Sequence, residues 1–213
     1  MLDFDDTMYA EAEYFRRVFE IFGRERGVSA IRVDQFMQLF PVWRRTKFDI
    51  FQVFLEFIGL PQRELHDRLY KLYLTLQIDL DPFIGISEVV EASLASNAQV
   101  IVLTSGVVDA QRNKWKNLRL AGKDEITFIP ARLLGSDKPS LDLLLALQER
   151  MNIRWSQTVA IGDNFEKDLS IPLSLSAKAI LVEANGYAGT SLQTWSPHGP
   201  EDLRKLVEGL MRG

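Results

Sequence analysis

The second half of the chain alternates short apolar runs with segments of helical periodicity, and this alternation limits the possible folds more than any other feature. The runs are rich in β-branched residues and lie at residues 100–103, 126–129, 158–161 and 179–182. The helical patterns lie between them, at about residues 107–118, 140–151 and 166–175. Strands that alternate with helices form a parallel sheet covered on both faces. The pattern therefore predicts an α/β, Rossmann-like domain.

Residues 11–96 differ from this pattern, because apolar residues there recur almost throughout at the spacings of three and four typical of amphipathic helices. The helical stretches end at turn-forming residues such as Gly27 and Gly59. The sequence therefore predicts an α-helical domain inserted into the α/β core. The predicted bounds are residues 1–9 and 97–213 for the core domain and residues 10–96 for the helical domain.

The composition excludes several functional classes. The chain has no cysteine and only two histidines, which excludes disulfides, thiolate metal sites and histidine-rich metal sites. A net charge of −4 and a pI near 5.3 argue against nucleic acid or a membrane surface as a partner. The N-terminus is acidic rather than signal-like, and no apolar run is long enough to span a bilayer. We therefore expect a cytoplasmic protein that acts on a small molecule. The sequence does not indicate its oligomeric state.

Two carboxylates follow the apolar pair Met1-Leu2. Asp3 and Asp5 leave this short run two residues apart, so both can point toward one ligand as the chain turns. One carboxylate can then serve as a nucleophile while the other transfers a proton. Taken alone, such a pair is also typical of a solvated acidic loop.

Polar residues also follow other apolar runs of the predicted sheet. Thr104, Ser105 and Gly106 offer a hydroxyl and backbone N–H groups that suit a phosphate oxygen. Lys138 precedes Pro139 at the start of a predicted helix. Further along the chain, Gly162 and Asp163 close another run, and Asp168 lies in the first turn of the next helix. Ligands of open parallel sheets bind at the carboxyl ends of the strands, where all these residues are expected.

Asp3, Asp163 and Asp168 would repel one another in a single cleft unless a cation compensated their charge. A site built only from carboxylates suits a hard cation, and Mg²⁺ is the leading candidate. Lys138 would supply a further positive charge for the nucleophile and for an incoming phosphate. The residues therefore predict a magnesium-dependent site for phosphate chemistry.

These residues resemble the four motifs of the haloacid dehalogenase superfamily, in the order found in that family. The first motif is matched by Asp3, Asp5 and Thr7, and the second by Thr104. Lys138 matches the third motif. The fourth is matched by Gly162, Asp163 and Asp168. The similarity covers residues 1–9 and about 97–185, and it identifies the chain as a hydrolase of the phosphatase branch with a helical cap.

The resemblance implies a mechanism. Asp3 would attack phosphorus to form an aspartyl-phosphate, while Asp5 would protonate the leaving alcohol and later activate water. Thr104 and Lys138 would hold the phosphoryl oxygens. Mg²⁺ would be bound by Asp3, by the backbone carbonyl of Asp5 and by Asp163, with Asp168 as a direct or water-mediated ligand. Ser105 and Gly106 belong to the same expected phosphate-binding loop.

The resemblance also separates the activities within the superfamily. The dehalogenating branch lacks an acid at the position of Asp5 and needs no metal, so Asp5 favours hydrolysis of a phosphate ester. The segment Thr7-Met8-Tyr9 resembles members that act on nucleoside monophosphates, but members that act on sugar phosphates are too similar to be distinguished. In the predicted cap, Trp43 and Arg44 can either contact the substrate or form a solvated turn with a packed tryptophan.

One departure from the family pattern leaves other hypotheses open. Members of the family carry several apolar residues before the first Asp, whereas here only Met1 and Leu2 precede it. Either the true start lies upstream, or the central strand is short and leaves backbone groups of its neighbours unpaired. A catalytically weak binding or regulatory protein is therefore an alternative to the phosphatase. A metal-independent 2-haloacid dehalogenase is a third, weaker hypothesis.

Overall fold

The chain forms two compact units. The computed structural model describes residues 1–47, 49–183, 193–199 and 202–212. One unit comprises Met1–Ala10 and Asp79–Gly213, and the other comprises Glu11–Ile78. The predicted return to the core at residue 97 therefore differs from the observed return at Asp79. The reason is local, because Leu80 exchanges backbone hydrogen bonds with Asn117 (3.0 Å) and Arg119 (2.8 Å) of the core unit.

Among its described residues, the smaller unit has only helices as regular structure, and helices also flank the strands of the larger unit. The α-helices are α1 (Glu11–Glu25), α2 (Ala30–Thr46), α3 (Ile50–Ile58), α4 (Arg63–Thr75), α5 (Ile84–Ala95), α6 (Val108–Asn117), α7 (Leu141–Met151), α8 (Ser170–Ser174) and α9 (Leu203–Arg212). A single π-helical turn, Phe165–Leu169, precedes α8. Within the described ranges, no helix combines the length and apolar character that a membrane span requires.

The strands of the core unit pair in parallel, as the alternation of strands and helices predicts. They are β1 (Ile101–Thr104), β2 (Thr127–Pro130), β3 (Val159–Gly162), β4 (Lys178–Val182) and β5 (Gln193–Trp195). β1 pairs with β2, while β4 pairs with β3 on one side and with β5 on the other. The first four strands match the predicted runs to within one residue at either end. β5 is not predicted, because its three residues contain no apolar run.

Residues 1–3 join the two groups of strands into one sheet. Leu2 pairs in parallel with Val102 on one side and with Ile161 on the other. The Leu2 N–H donates to the Ile101 carbonyl (2.8 Å), and the Asp3 N–H donates to the Ile161 carbonyl (2.9 Å). The spatial order is therefore β2, β1, residues 1–3, β3, β4, β5. The short central segment pairs with both neighbours, and it ends at Asp3.

A cavity of about 630 Å³ borders the amino-terminal end of this central segment. Met1, Gln99 and Thr158 are among the residues that line it. The Met1 ammonium group donates a hydrogen bond to the Val159 carbonyl (2.8 Å). Burial lowers the pKa of this ammonium group to about 5, because the charged form loses hydration inside the protein.

The sheet is held against its helices by apolar side chains that alternate along the strands. Ile101 and Leu103 point to one face and form a buried cluster with Leu143, Leu144 and Leu147 of α7. A second buried cluster joins Leu169, at the end of the π-helical turn, to Ala160, Ala179 and Leu181 of β3 and β4. These contacts fix the ends of β1 and β3, where the candidate site residues Thr104 and Asp163 lie.

The smaller unit has an aromatic core. Phe19 stacks on Phe54, with ring centroids 4.3 Å apart, and Phe36 meets both rings edge-on. Trp43 packs against Phe36 with a centroid distance of 4.7 Å. Arg44 lies 3.3 Å from the buried Glu11 carboxylate. Trp43 is therefore a packing residue of this unit, in line with the second of the two interpretations given above.

Candidate active site

Four of the predicted site residues meet at the carboxyl end of the sheet. The Lys138 ammonium group forms an ion pair with Asp3 and another, 2.7 Å long, with Asp168. Carboxylate oxygens of Asp3, Asp163 and Asp168 all lie within 4.8 Å of one another. The side chains of Lys138, Asp3 and Asp168 are at most 10% exposed. The cluster therefore holds three carboxylates and one ammonium group in a largely dry pocket.

The fold brings the three carboxylates together from two neighbouring strands. Asp3 ends the central segment, and Asp163 follows β3 directly. The π-helical turn after Asn164 carries Asp168 back to the strand end, where its Oδ2 accepts a hydrogen bond from the Asn164 N–H (3.0 Å). A β-carbon at Gly162 would lie 2.5 Å from that of Asp168. The absence of a side chain at Gly162 is therefore what allows this close approach.

Lys138 is positioned by the loop that precedes α7. Its backbone N–H donates to the Ser105 hydroxyl (3.1 Å). The neighbouring Asp137 accepts hydrogen bonds from Arg132 (2.6 Å) and from the Gly106 N–H (3.2 Å). Burial opposes ionisation of Asp137, but these hydrogen bonds outweigh it and lower its pKa. The lysine loop is thus joined to the loop that follows β1.

The electrostatics of the cluster show an excess of negative charge. Burial, followed by repulsion from Asp168, raises the pKa of Asp3 to about 7. Burial and repulsion from Asp3 and Asp168 raise the pKa of Asp163 to about 9. Burial acts to lower the pKa of Lys138, but the carboxylates of Asp3 and Asp168 outweigh it and raise the pKa. One lysine therefore compensates only part of the charge of three carboxylates.

Asp5 lies in a separate group of hydrogen bonds. Its Oδ1 accepts from Lys114 Nζ (2.6 Å) and from the Tyr9 hydroxyl (2.5 Å). Its Oδ2 accepts from Gln111 Nε2 (2.7 Å). Burial opposes ionisation of Asp5, but Lys114 and the two neutral donors outweigh it, so the pKa of Asp5 is lowered. The Asp5 side chain is not part of the three-carboxylate cluster, and the proposed use of its backbone carbonyl as a metal ligand stays a prediction.

The predicted phosphate-binding residues at the carboxyl end of β1 are joined by hydrogen bonds to the loop that carries Lys138. The buried Thr104 hydroxyl donates to the Ser105 carbonyl (3.3 Å). Ser105 accepts the backbone N–H of Lys138, and the Gly106 N–H donates to Asp137. Gly106 has a φ of +107°, a conformation that favours glycine. Phosphate binding by Thr104, Ser105 and Gly106 stays a prediction.

Sequence reasoning missed Tyr9, Gln111 and Lys114, which surround Asp5. Lys114 is fully buried, and Gln111 is 3% exposed. The available signal for Gln111 and Lys114 was their spacing of three residues on α6, which places both side chains on one helix face. A lysine and a glutamine on the same face are usually exposed, so hydrophobic periodicity alone does not find them.

The donor set of the cluster fits a magnesium ion. Mg²⁺ prefers oxygen ligands, and three carboxylates supply them without histidine or cysteine. A divalent cation would also remove the repulsion that raises the pKa values of Asp3 and Asp163. Asp3, Asp163 and Asp168 are therefore the residues that would hold the metal.

The family model of haloacid dehalogenase-like hydrolases matches residues 1–182. The match covers most of the chain, and the residues it spans include every member of the cluster. The chain belongs to the haloacid dehalogenase-like hydrolase family. A search of curated proteins found no match.

Solved structures with the same fold include proteins of different activities. The HAD hydrolase YfnB from Bacillus subtilis, determined bound to magnesium, has 15% sequence identity and a TM-score of 0.70, with 98% of this chain and 96% of that chain covered. A HAD phosphatase from Thermococcus onnurineus has 19% identity and a TM-score of 0.55 over 98% and 96% of the two chains. The defluorinating L-2-haloacid dehalogenase Rha0230 has 12% identity and a TM-score of 0.65 over 100% and 94%. At these identities the comparison shows the fold alone.

Proposed function

We propose that this hydrolase is a Mg²⁺-dependent phosphomonoesterase that acts through an aspartyl-phosphate on Asp3. The observation that carries the proposal is the charge of the cluster. The cluster contains one cation, the Lys138 ammonium group, and three carboxylates, which belong to Asp3, Asp163 and Asp168. When all four groups are ionised, the net charge of the cluster is −2. A substrate anion would be repelled by such a site. A bound divalent cation neutralises the net charge of the cluster, so that a phosphate is no longer repelled.

The residues of the chain divide the chemistry between them. An oxygen of Asp3 forms a bond to phosphorus, the bond from phosphorus to the ester oxygen breaks, and that oxygen takes a proton from the protonated carboxyl group of Asp5. Water then attacks the aspartyl-phosphate, gives a proton to Asp5 and releases inorganic phosphate, which restores the Asp3 carboxylate. Lys138 holds Asp3 in place and offsets negative charge. When bound, Mg²⁺ supplies Lewis-acid stabilisation of the phosphoryl oxygens.

Asp5 supports a phosphate ester over a haloacid as the substrate. An alkoxide is strongly basic and leaves readily only when it is protonated, whereas a halide leaves without a proton. A carboxyl group two residues after the nucleophile is therefore useful for ester cleavage and has no evident role in carbon–halogen cleavage. Solved relatives of both kinds share the fold, so the residues of the site carry this distinction.

The proposal is tested by the release of phosphate from p-nitrophenyl phosphate. We expect turnover that requires Mg²⁺, stops on addition of EDTA and is lost in Asp3→Asn. Asp124→Asn is the matched control, because Asp124 is an exposed carboxylate of the same core unit and is expected to leave the rate unchanged.

Further substrates separate the remaining hypotheses. We expect a small phosphorylated metabolite as the natural substrate, and a panel of nucleoside monophosphates and sugar phosphates identifies the leaving group. Release of halide from 2-haloacids without metal would support the dehalogenase instead. A folded protein that binds Mg²⁺ but turns over no phosphate ester would refute the proposal and support a binding or regulatory role.

A further inference from the structure

Arg132 is an exposed cation at the same edge of the sheet as the candidate active site, and the proposed chemistry does not use it. It lies in the 3₁₀-helical turn Ala131–Leu134, which follows the carboxyl end of β2 directly. Ala131 is fully buried in the apolar cluster that joins β1 to α7, and Leu134 packs against the same cluster. The backbone is therefore anchored on both sides of Arg132, while the side chain itself is 52% exposed.

One ion pair directs this arginine toward the middle of the sheet. Its Nε donates to Asp137 Oδ2 (2.6 Å), and Asp137 Oδ1 accepts the Gly106 N–H (3.2 Å). Gly106 follows β1, the strand that lies between β2 and residues 1–3. The guanidinium group therefore reaches from the end of β2 toward the loop after β1, where the phosphate is expected to bind.

The same pairing determines which atoms of the guanidinium group are free. Nε makes the hydrogen bond to Asp137, and the two terminal nitrogens have no hydrogen-bond partner among the residues that the structure describes. These two nitrogens carry N–H groups in one plane, a geometry that matches the oxygens of a carboxylate or a phosphate. Asp137 thus orients the side chain without occupying the donors best suited to a second anion.

Arg132 and Asp137 together carry no net charge. Burial opposes ionisation of Asp137, but its hydrogen bonds outweigh burial and lower its pKa, so the carboxylate stays ionised at neutral pH. Long-range attraction between this pair and an anion is therefore weak. Recognition has to come from hydrogen bonds of the terminal nitrogens, which act only over a short distance. Such a site selects a substrate by the position of its second anionic group.

The distance between Arg132 and Asp3 indicates the size of such a substrate. Neighbouring strands lie about 4.8 Å apart, and β1 separates β2 from residues 1–3. The carboxyl end of β2 is therefore about 10 Å from Asp3. The arginine side chain covers part of this span, and the carbon chain of a small metabolite covers the rest.

We propose that Arg132 is a substrate-binding residue that selects phosphate esters carrying a second anionic group, either a carboxylate or another phosphate. The proposal rests on the proposed phosphatase function, because it needs a phosphate ester held at Asp3. Small phosphorylated acids and bisphosphates belong to this class. Their leaving groups are themselves anions, unlike those of nucleoside monophosphates and of simple sugar phosphates.

Two pairs of substrates test this role. 3-Phosphoglycerate and glycerol 3-phosphate differ in one carboxylate, whereas fructose 1,6-bisphosphate and fructose 6-phosphate differ in one phosphate. The ratio of kcat/KM within each pair measures the preference for the second anion. We expect the wild-type protein to prefer the more anionic substrate in one of the pairs, and that pair identifies the anion. Arg132→Met should lower this preference about 10-fold, the effect of losing a hydrogen bond to a charged group.

Arg154→Met is the matched control. Arg154 is an exposed arginine that precedes β3, so it lies at the opposite, amino-terminal edge of the sheet. Its replacement changes the net charge of the protein by the same amount, and we expect the wild-type preference to be kept in both pairs. Thermal unfolding of Arg132→Met should resemble that of the wild type, because an exposed ion pair contributes little to stability.

The outcomes distinguish this role from a structural one and from a failure of the proposed function. If Arg132 only held Asp137 in place, Arg132→Met would slow both members of a pair equally, and the proposed binding role would be overturned. An equal drop of the preference in Arg154→Met would overturn it as well, because overall charge would then explain the selectivity. A protein that hydrolyses p-nitrophenyl phosphate but shows no preference in either pair would refute only the role of Arg132. A protein inactive on every phosphate ester with Mg²⁺ would refute the proposed function itself.

Discussion

Replacement of Asp163 by asparagine is expected to have opposite effects on stability with and without Mg²⁺. The folded-state pKa of Asp163 is about 9, compared with an unfolded value near 3.8. Between these values the folded state holds a proton that the unfolded state has lost, so stability falls as pH rises through this range. Asparagine carries no titratable group and removes this cost.

The expected change in stability for Asp163→Asn follows from the folded and unfolded pKa values of Asp163. Each unit of pKa shift corresponds to about 1.4 kcal/mol, which gives an upper limit of about 5 kcal/mol near neutral pH. Asp163 is only half-buried, and water screens its charge, so we expect a gain of about 1–2 kcal/mol for Asp163→Asn without metal. In a chain of this length, that gain corresponds to a rise in Tm of about 3–6 °C.

Mg²⁺ reverses the comparison. A ligand that binds only the folded state adds about 2.7 kcal/mol at a concentration 100 times its Kd. This would raise the Tm of the wild-type protein by about 5–10 °C, and most of the rise should disappear in Asp163→Asn. Thermal unfolding followed by circular dichroism, with and without Mg²⁺, measures both effects. Glu166→Gln is the control, since Glu166 is exposed and lies three residues away. A variant that is less stable than wild type without metal, or that keeps the full Mg²⁺ response, would refute the reasoning.

Other changes test the site and the central segment. Gly162→Ala places a β-carbon 2.5 Å from that of Asp168, so we expect a loss of about 1–3 kcal/mol in urea unfolding and weaker Mg²⁺ binding by calorimetry. Lys138→Met leaves Asp3 and Asp168 without their buried cation, and thermal unfolding should show a loss of about 3–5 kcal/mol that Mg²⁺ partly restores.

The sequence predicts the strands and the cluster because both depend on simple rules. Apolar runs rich in β-branched residues fix β1 and β3 to within one residue. Parallel strands place their carboxyl ends at one edge of the sheet, so Asp3 and Asp163 had to be neighbours once the fold class was known. The positions of Lys138 and Asp168 followed from the family resemblance.

Other features depend on contacts that no local pattern records. The helical periodicity is similar before and after Asp79, so the change from one compact unit to the other is invisible in the sequence. Two of the partners of Asp5, Gln111 and Lys114, lie more than one hundred residues away along the chain, on the inward face of α6. A buried ion pair can be identified only when both elements are seen in place.

The position of Asp3 in the sheet also has a consequence for how activity is lost. The backbone of residues 1–3 is held by β1 and β3, so Asp3, the proposed nucleophile, is aligned only when segments about 100 and 160 residues further along the chain are both folded. Contacts this distant in sequence are entropically expensive to close. Partial unfolding that releases residues 1–3 would separate the sheet between β1 and β3 while leaving most helices formed. Catalytic activity should therefore be a more sensitive reporter of the intact fold than helical content.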